Sequence, residues 1–420
     1  MLFLFIMKSK DPNQEKKNIV ILGGGFAGIR VALDLQNLLH DDENYEIIII
    51  DRKDYQTYYS ALYEAATTEH RLVEAKKVKR TVTIPFAEIF GHTKVKVFKG
   101  YIDRIDLTDG KIVTDSRIIA FDYLAIAMGS IADFYGIPNL DKYGFTLKSL
   151  EDAIIIRNRI EDLVAKKDSG TIVIGGGGFA GTEFAGEVHN LLKHECMHHQ
   201  KDMAKFKVLV VEGGTNFLPG LSEKVSAIVA ARITAMGIET KFSTLITEAG
   251  RDFITLNNKE RVDTDLLIWT GGVRSCRLPV EVDLDRDKKD RTAVENYLNL
   301  KKYPNVFVVG DNACVIDPVS KRPVAQTAQE AINQAKLAAR NIYRAIRNKP
   351  LVPYNIGPTR FVIPVTGKFA VMYTPSLIIS GFPGWLIRKA ADLRYFLTIL
   401  PFMTAIKYWI FENKIFMKND

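Results

Sequence analysis

Two nested, doubly wound α/β sheets, with a helical segment appended at the C-terminus, are what this 420-residue sequence predicts. Three observations carry the prediction. A glycine-rich stretch, "NIVILGGGFAGIRVALD", stands at Asn18 to Asp34. It returns in altered spelling as "TIVIGGGGFAGTEFAGE" at Thr171 to Glu187. Each copy is followed by a second β-branched run that ends in an acid: "YEIIIID" closing on Asp51 and "KVLVVE" closing on Glu212.

The first copy reads as strand, turn and helix. Ile19, Val20 and Ile21 form a continuous apolar run, the pattern of a strand buried on both faces. Gly23, Gly25 and Gly28 then supply a tight turn, a close backbone approach to a pyrophosphate, and close helix packing. The helix that follows directs its free N–H groups and the positive end of its dipole at the phosphates. Asp51 ends the next strand, where an acid takes ribose hydroxyls. In the second copy the strand is Thr171 to Ile174, the glycines are Gly176, Gly178 and Gly181, and the acid is Glu212. A lone glycine pattern is weak, because such turns occur in many loops. With strand, helix and terminal acid at each copy, both read as Rossmann-like dinucleotide-binding domains.

The rest of the chain fits between and after these units. Short β-rich runs fill about residues 80 to 130, and "SLEDAIIIRNRIEDLVAKK" is an amphipathic helix leading into the second unit. "NVFVVGDNACV" is one more buried strand running into Gly310 and Asp311, followed by a helix from Gln326 to Arg347. The predicted division is a first domain over residues 17–135, interrupted by a second over 150–278 and resumed over 290–350, then a membrane-anchoring region over 351–420.

Composition narrows the class. Hydrophobic residues make up 47% and charged residues 25%, ordinary globular values. The net charge of +8 comes with no long basic block or aromatic-interleaved stripe, so no nucleic-acid partner is expected. It suits an anionic membrane face or an anionic dinucleotide. The three cysteines, Cys196, Cys276 and Cys314, are widely spaced without a CxxC, which argues against a disulfide scaffold or structural zinc. "MLFLFIM" is too short for a signal peptide, and Met7 is an alternative start.

The tail differs in character. From Gly384 to Met417, two helical stretches split by Pro401 carry Leu386, Leu393, Leu397 and Leu400 on one stripe, continued by Met403, Ile406 and Ile410. Arg388, Lys389, Arg394, Lys407 and Lys414 sit among Trp385, Tyr395, Tyr408 and Trp409. The longest uncharged run, Tyr395 to Ile406, contains a proline and falls short of the ~20 residues needed to span a bilayer. This pattern describes helices lying in a membrane surface. A pair of helices closing a dimer interface, or packing on the core, would share it.

Two dinucleotide sites in one chain imply electron transfer between a bound flavin and a nicotinamide. The late "VVGDNA" returns to the first fold, where the Asp311 carboxylate would bind the ribityl chain or merely cap a strand end. The two cradles, "FDYLAIAMGS", "LLIWTGGVRS" and "VFVVGDNA", in this order, resemble the two-dinucleotide-fold flavoprotein reductases. Within that group, "LKSLEDAIIIRNRI", "GTEFAGE" and "TAQEAINQAKLAARNI" resemble type II NADH dehydrogenase (NADH:quinone oxidoreductase), over roughly residues 17–350. The resemblance implies non-covalent FAD, NADH as donor substrate, a membrane quinone as acceptor, and peripheral attachment at the cytoplasmic face of the cell membrane. A homodimer is the expected assembly.

The resemblance also assigns residues. Gly23, Gly25, Gly28 and Asp51 match the family's FAD cradle, Gly129 its first crossover glycine, and Gly310 and Asp311 its ribityl site. Gly176, Gly178, Gly181 and Glu212 match the NADH cradle, and Glu183 the acid near the reacting rings. Ala328, Gln329 and Ala331 match the AQxAxQ quinone motif, with Ala328 also at the flavin and Gln329 expected to serve catalysis. The motif's closing glutamine falls on Asn333, beside Gln334. "TRFVIPVTGKFAVMY" departs from the Lys-Gly pattern of the best-known members.

Other readings compete for some of these residues. Glu212, with no arginine after it, favours NADH over NADPH, or is a strand-end acid in solvent. Glu183, read as lying in the first turn of its helix, would stabilise the helix dipole on chemistry alone. His189, His194, Cys196, His198 and His199 crowd one stretch read as a surface insertion; His194 and His198 share a helical face, but no metal site is expected. Sulfide:quinone oxidoreductase is the near rival, and a non-catalytic NADH-binding redox sensor the distant one. With no membrane-spanning segment expected, quinone reduction would proceed without proton pumping.

Overall fold

A computed structural model of the chain describes residues 16–71 and 73–417. The apolar N-terminal stretch and the choice between Met1 and Met7 lie outside the described residues. The chain divides into two compact units. The first takes the residues up to Asp54, Phe90–Gly129 and Cys276–Tyr354, and the second takes Tyr55–Ile89, Ser130–Ser275 and the residues from Asn355 on.

The first unit is built on a five-stranded parallel sheet. Its spatial order is Val306–Val308, Tyr123–Ile126, Lys17–Leu22, Tyr45–Asp51 and Lys96–Lys99. Ile19, Val20, Ile21 and Leu22 are fully buried, as a strand covered on both faces must be. In chain order the sheet starts at its centre, extends to one edge, then returns to the other side of the first strand. Residues Gly23 and Gly129 leave adjacent strands at that reversal, the switch point where such sheets bind ligands. The first cradle helix, Phe26–Leu38, packs along the late helix, Ala328–Ile346, which begins two residues later than the pattern from Gln326 suggests. Thr327 caps that helix by accepting from the Glu330 N–H at 3.2 Å, which explains the later start.

The second unit repeats the plan. Gly144–Phe145, Leu266–Trp269, Gly170–Gly175, Phe206–Val211 and Glu239–Lys241 form a parallel sheet in that order, again reversing beside the cradle strand. The duplication reaches further than the glycines. In each unit a three-stranded antiparallel meander (102–120 in the first, 246–263 in the second) precedes the strand on the other side of the cradle.

The domain division expected from sequence differs in two places. Residues 55–89, expected inside the first domain, belong to the second unit. There the short helix Leu62–Ala65 packs on helices Leu150–Lys166 and Phe179–His198, with Leu62 and Tyr63 buried. The tail is likewise no separate region. Its antiparallel sheet, Phe361–Thr366, Phe369–Thr374 and Leu377–Gly381, packs on the second cradle helix, where Gly186 lets the Val365 carbonyl approach. A Cβ at Gly186 would lie 2.0 Å from that oxygen. The two tail helices are Phe382–Ile399 and Phe402–Phe416, with Pro401 between them. Among the described residues no helix is long and apolar enough to cross a membrane.

Candidate functional sites: two glycine cradles and a buried charge layer

In the first cradle each glycine has a separate task. Gly23 sits at φ +98°, and a Cβ there would meet the Ala127 carbonyl at 2.3 Å. A Cβ on Gly28 would stand 1.8 Å from the Gly23 carbonyl oxygen, so helix and turn touch only because the side chain is absent. Gly25 is the helix N-cap; a Cβ there would meet nothing, and no side chain caps its helix. A helix N-terminus without a side-chain cap, with open space at its N-cap, fits an anionic phosphate. Gly28→Ala is expected to push the helix off the turn, costing roughly 1–3 kcal/mol or more of stability. Flavin content after purification, with thermal melting, measures it; full occupancy and an unchanged melting temperature would contradict this packing.

Asp51 is tied into its loop. Its carboxylate accepts from the Gly24 N–H at 2.6 Å and the Lys53 N–H at 2.8 Å. A carboxylate has about four acceptor positions, so two stay available to ribose hydroxyls. Gly129 (φ +77°) and Gly310 (φ +66°) lie in the same unit, each fixed by a residue that sequence reading missed. Asn312, fully buried, accepts from the Gly129 N–H at 2.8 Å and donates to its carbonyl at 3.0 Å. Gln334 accepts from the Gly310 N–H at 2.8 Å. Asp311 stands half-buried between them, its carbonyl held by the Gln326 amide at 3.0 Å.

The expected quinone residues separate on inspection. Gln329 is exposed and donates to the Asn333 side chain at 3.0 Å, one turn on, so these two amides share a helix face. Ala328 opens the helix. Ala331, expected to touch quinone, is only 7% exposed, and its methyl lies 3.4 Å from where a Gly310 Cβ would stand. It is a spacer between the helix and the Gly310 turn. Gln334, not Asn333, carries the structural role in this stretch.

The second cradle repeats the geometry. Gly176 has φ +109°, a Gly181 Cβ would meet the Gly176 carbonyl at 1.9 Å, and the N-cap Gly178 again faces open space without a side-chain cap. The Thr270 hydroxyl contacts the Gly175 carbonyl at 3.0 Å and the Gly176 carbonyl at 3.1 Å, bracing the turn. Glu212 accepts from Gly177 N–H at 2.5 Å and Gly214 N–H at 2.6 Å.

Glu183 is not in the first turn of its helix. The helix starts at Phe179, so Glu183 is one turn in, beyond the reach of the terminal N–H groups. Burial raises its pKa to about 8; Arg388 opposes this, while Glu64 and Asp392 add to it. The folded chain therefore holds a proton that the unfolded chain has released, and stability is lost as pH rises from 4.5 to about 8. Glu183→Gln is expected to flatten that dependence by up to a few kcal/mol. Melting curves across the window decide it; parallel curves for both proteins would refute it.

The cations expected to face lipid also divide. Arg388 pairs with Asp392 and donates to the Ser60 carbonyl at 2.9 Å, and Lys389 lies 3.3 Å from Glu64. Both serve the interior. Arg394, Lys407 and Lys414 are exposed. The histidine stretch is no insertion: it is the C-terminal half of the 20-residue second cradle helix. His194 pairs with Glu69 at 2.8 Å, and Arg71 bridges Glu69 and Glu195 at 3.0 Å each. Among the described residues no three His, Cys, Asp or Glu side chains converge as metal ligands.

A family model described as pyridine nucleotide-disulphide oxidoreductase matches residues 17–335. The chain belongs to the pyridine nucleotide-disulphide oxidoreductase family. Within the family, the chain resembles proteins named type II NADH:quinone oxidoreductase. The Staphylococcus saprophyticus protein is 27% identical over 348 residues, covering 80% of this chain and 84% of that one. A Staphylococcus aureus protein of the same name is 27% identical over 347 residues, with the same coverage. Among solved structures, the NDH2 protein of Plasmodium falciparum, determined with NADH, superposes with a TM-score of 0.81 at 16% identity. That match covers 95% of this chain and 98% of the other. The sulfide:quinone oxidoreductase of Aquifex aeolicus gives a TM-score of 0.75 at 20% identity, over 91% and 90%. Those two likenesses establish the two-cradle fold.

Proposed function

We propose that this chain is a non-covalent FAD enzyme that oxidises NADH and reduces a membrane quinone, without proton pumping, from the cytoplasmic face of the membrane. The observation that carries this is the pair of open glycine cradles, each closed by an acid, on two separate sheet reversals. The first cradle, with Asp51, Gly129, Gly310 and Asp311, would hold the flavin, which supplies hydride acceptance and onward electron delivery when bound. The second would hold NADH, with Glu212 at the ribose and Glu183 keeping a proton near neutral pH. Gln329 and Asn333 present adjacent amides suited to a quinone carbonyl. A homodimer remains part of the proposal.

The likeness to a sulfide:quinone oxidoreductase favours a second reading, and thiol chemistry weighs against it. Sulfur transfer needs a reactive thiolate. Burial and Asp287, 3.8 Å away, push the Cys314 thiol up, and burial pushes buried Cys196 up to about 11. Stopped-flow reduction by NADH, then reoxidation by a soluble quinone, tests the proposal. Sulfide outpacing NADH would favour the rival; flavin reduction without quinone turnover would leave a redox sensor.

A further inference from the structure

The helix Ala75–Val82 buries Val78, Thr81 and Val82 and exposes four cations, Lys76, Lys77, Lys79 and Arg80. It packs on the second tail helix, Phe402–Phe416, where the Arg80 guanidinium lies over the Phe411 ring at 4.8 Å. Lys407, Phe411 and Lys414 follow i, i+4, i+7 spacing on that tail helix, so both exposed lysines stand on the side that meets the basic helix. Met403, Ile410 and Met417 repeat every seven residues on the adjoining face, and all three are exposed. Six cations thus border an exposed apolar stripe, all within the second unit. Lys79 also lies over the Tyr55 ring at 6.0 Å. Among the described residues no acid forms an ion pair with any of the six. The exposed acids close by in sequence are Glu74, the N-cap of the basic helix, and Glu88, which hydrogen-bonds Tyr408.

We propose that this basic helix and the Lys407–Lys414 edge form one ledge that binds the headgroups of anionic phospholipids. The ledge deepens the proposed membrane role and rests on it. A lipid surface offers side by side what the ledge presents: negative charge at the headgroups, and hydrocarbon about 5–10 Å beneath for Met403, Ile410 and Met417. A nucleic acid would match the cations but leave the apolar stripe in water. Six cations with two acids among them repel one another, and an anionic surface relieves that repulsion. Each cation held near such a surface strengthens partitioning about fivefold, an effect that salt screens. The ledge therefore makes attachment selective for anionic over zwitterionic membrane, while the apolar stripe supplies the part that salt leaves alone.

Flotation of the full-length, flavin-loaded protein tests this, comparing phosphatidylcholine vesicles with mixed vesicles that also hold phosphatidylglycerol. The wild type is expected to bind the mixed vesicles tighter by on the order of 10²-fold or more at low salt. Lys76→Gln, Lys77→Gln and Lys79→Gln together are expected to weaken mixed-vesicle binding on the order of 10²-fold. Binding to phosphatidylcholine and flavin reduction by NADH should stay unchanged. Lys207→Gln, Lys224→Gln and Lys259→Gln change the net charge equally at exposed sites outside the ledge and should weaken binding far less. Equal losses in the two triple variants overturn the proposal, since binding then reads total charge, and so does a first variant that binds like the wild type. If the first variant fails to fold, Lys407→Gln with Lys414→Gln serves: a loss on the order of 10-fold on mixed vesicles alone supports the ledge, and no loss refutes it. A wild type that floats with neither vesicle sinks the membrane reading itself. One that floats equally with both keeps that reading, sinks the ledge, and leaves its cations to an acidic protein partner.

Discussion

Glutamate at Leu386, Leu397, Met403 and Ile410 together is expected to release the protein from anionic vesicles while leaving its flavin reducible by NADH. All four side chains are exposed, and they follow helical spacing along the two tail helices. Inserting each into the interface is worth about 1.5 kcal/mol, so losing four weakens partitioning on the order of 10⁴-fold before the added charge repulsion is counted. Point substitutions are the right probe because truncation would do something else. The first tail helix buries Phe396 and supplies Arg388, Lys389 and Asp392 to the interior, so removing it would leave Glu64 and Glu183 without their cations. Vesicle flotation measures the effect. A quadruple variant that still floats would show that the stripe covers protein, as a dimer contact would.

Glu212→Gln combined with Gly213→Arg is expected to erase a preference for NADH over NADPH of on the order of 10²-fold or more. The wild-type carboxylate is pinned by two loop N–H groups, so it cannot swing away from a 2′-phosphate. Glutamine keeps the shape but loses one acceptor and the charge. A Cβ at 213 would meet only the Leu245 side chain, at 2.6 Å, and that side chain is exposed and free to shift. The ratio of kcat/KM for the two donors is the measurement, and an unmoved ratio would take Glu212 out of donor selection.

The cradles were legible because everything that makes them is local: a strand, three glycines and a helix between Lys17 and Leu38 in one copy and between Gly170 and His198 in the other, then an acid at the end of the next strand. What braces them was not. Asn312 reaches Gly129 across 183 residues of chain, and Gln334 reaches Gly310 across 24, without any periodic signal. Arg388 and Lys389 looked like lipid-facing cations because helical periodicity reports a face, not its occupant; their carbonyl and carboxylate partners lie 328 and 325 residues away. Ala331 matched a motif by spelling, while its role came from a close approach to Gly310.

The order of synthesis imposes a schedule on cofactor loading. Strand Val306–Val308 and the Gly310–Asn312 turn leave the ribosome only after the whole parallel sheet of the second unit has been made. Until then the first unit lacks an edge strand and the asparagine that fixes Gly129, so its nucleotide crevice is unfinished for most of translation. Closing it is a long-range step, the slow kind in folding. A stalled nascent chain ending before residue 306 would therefore emerge colourless, and flavin supply would limit the yield of enzyme late, after the chain is nearly complete.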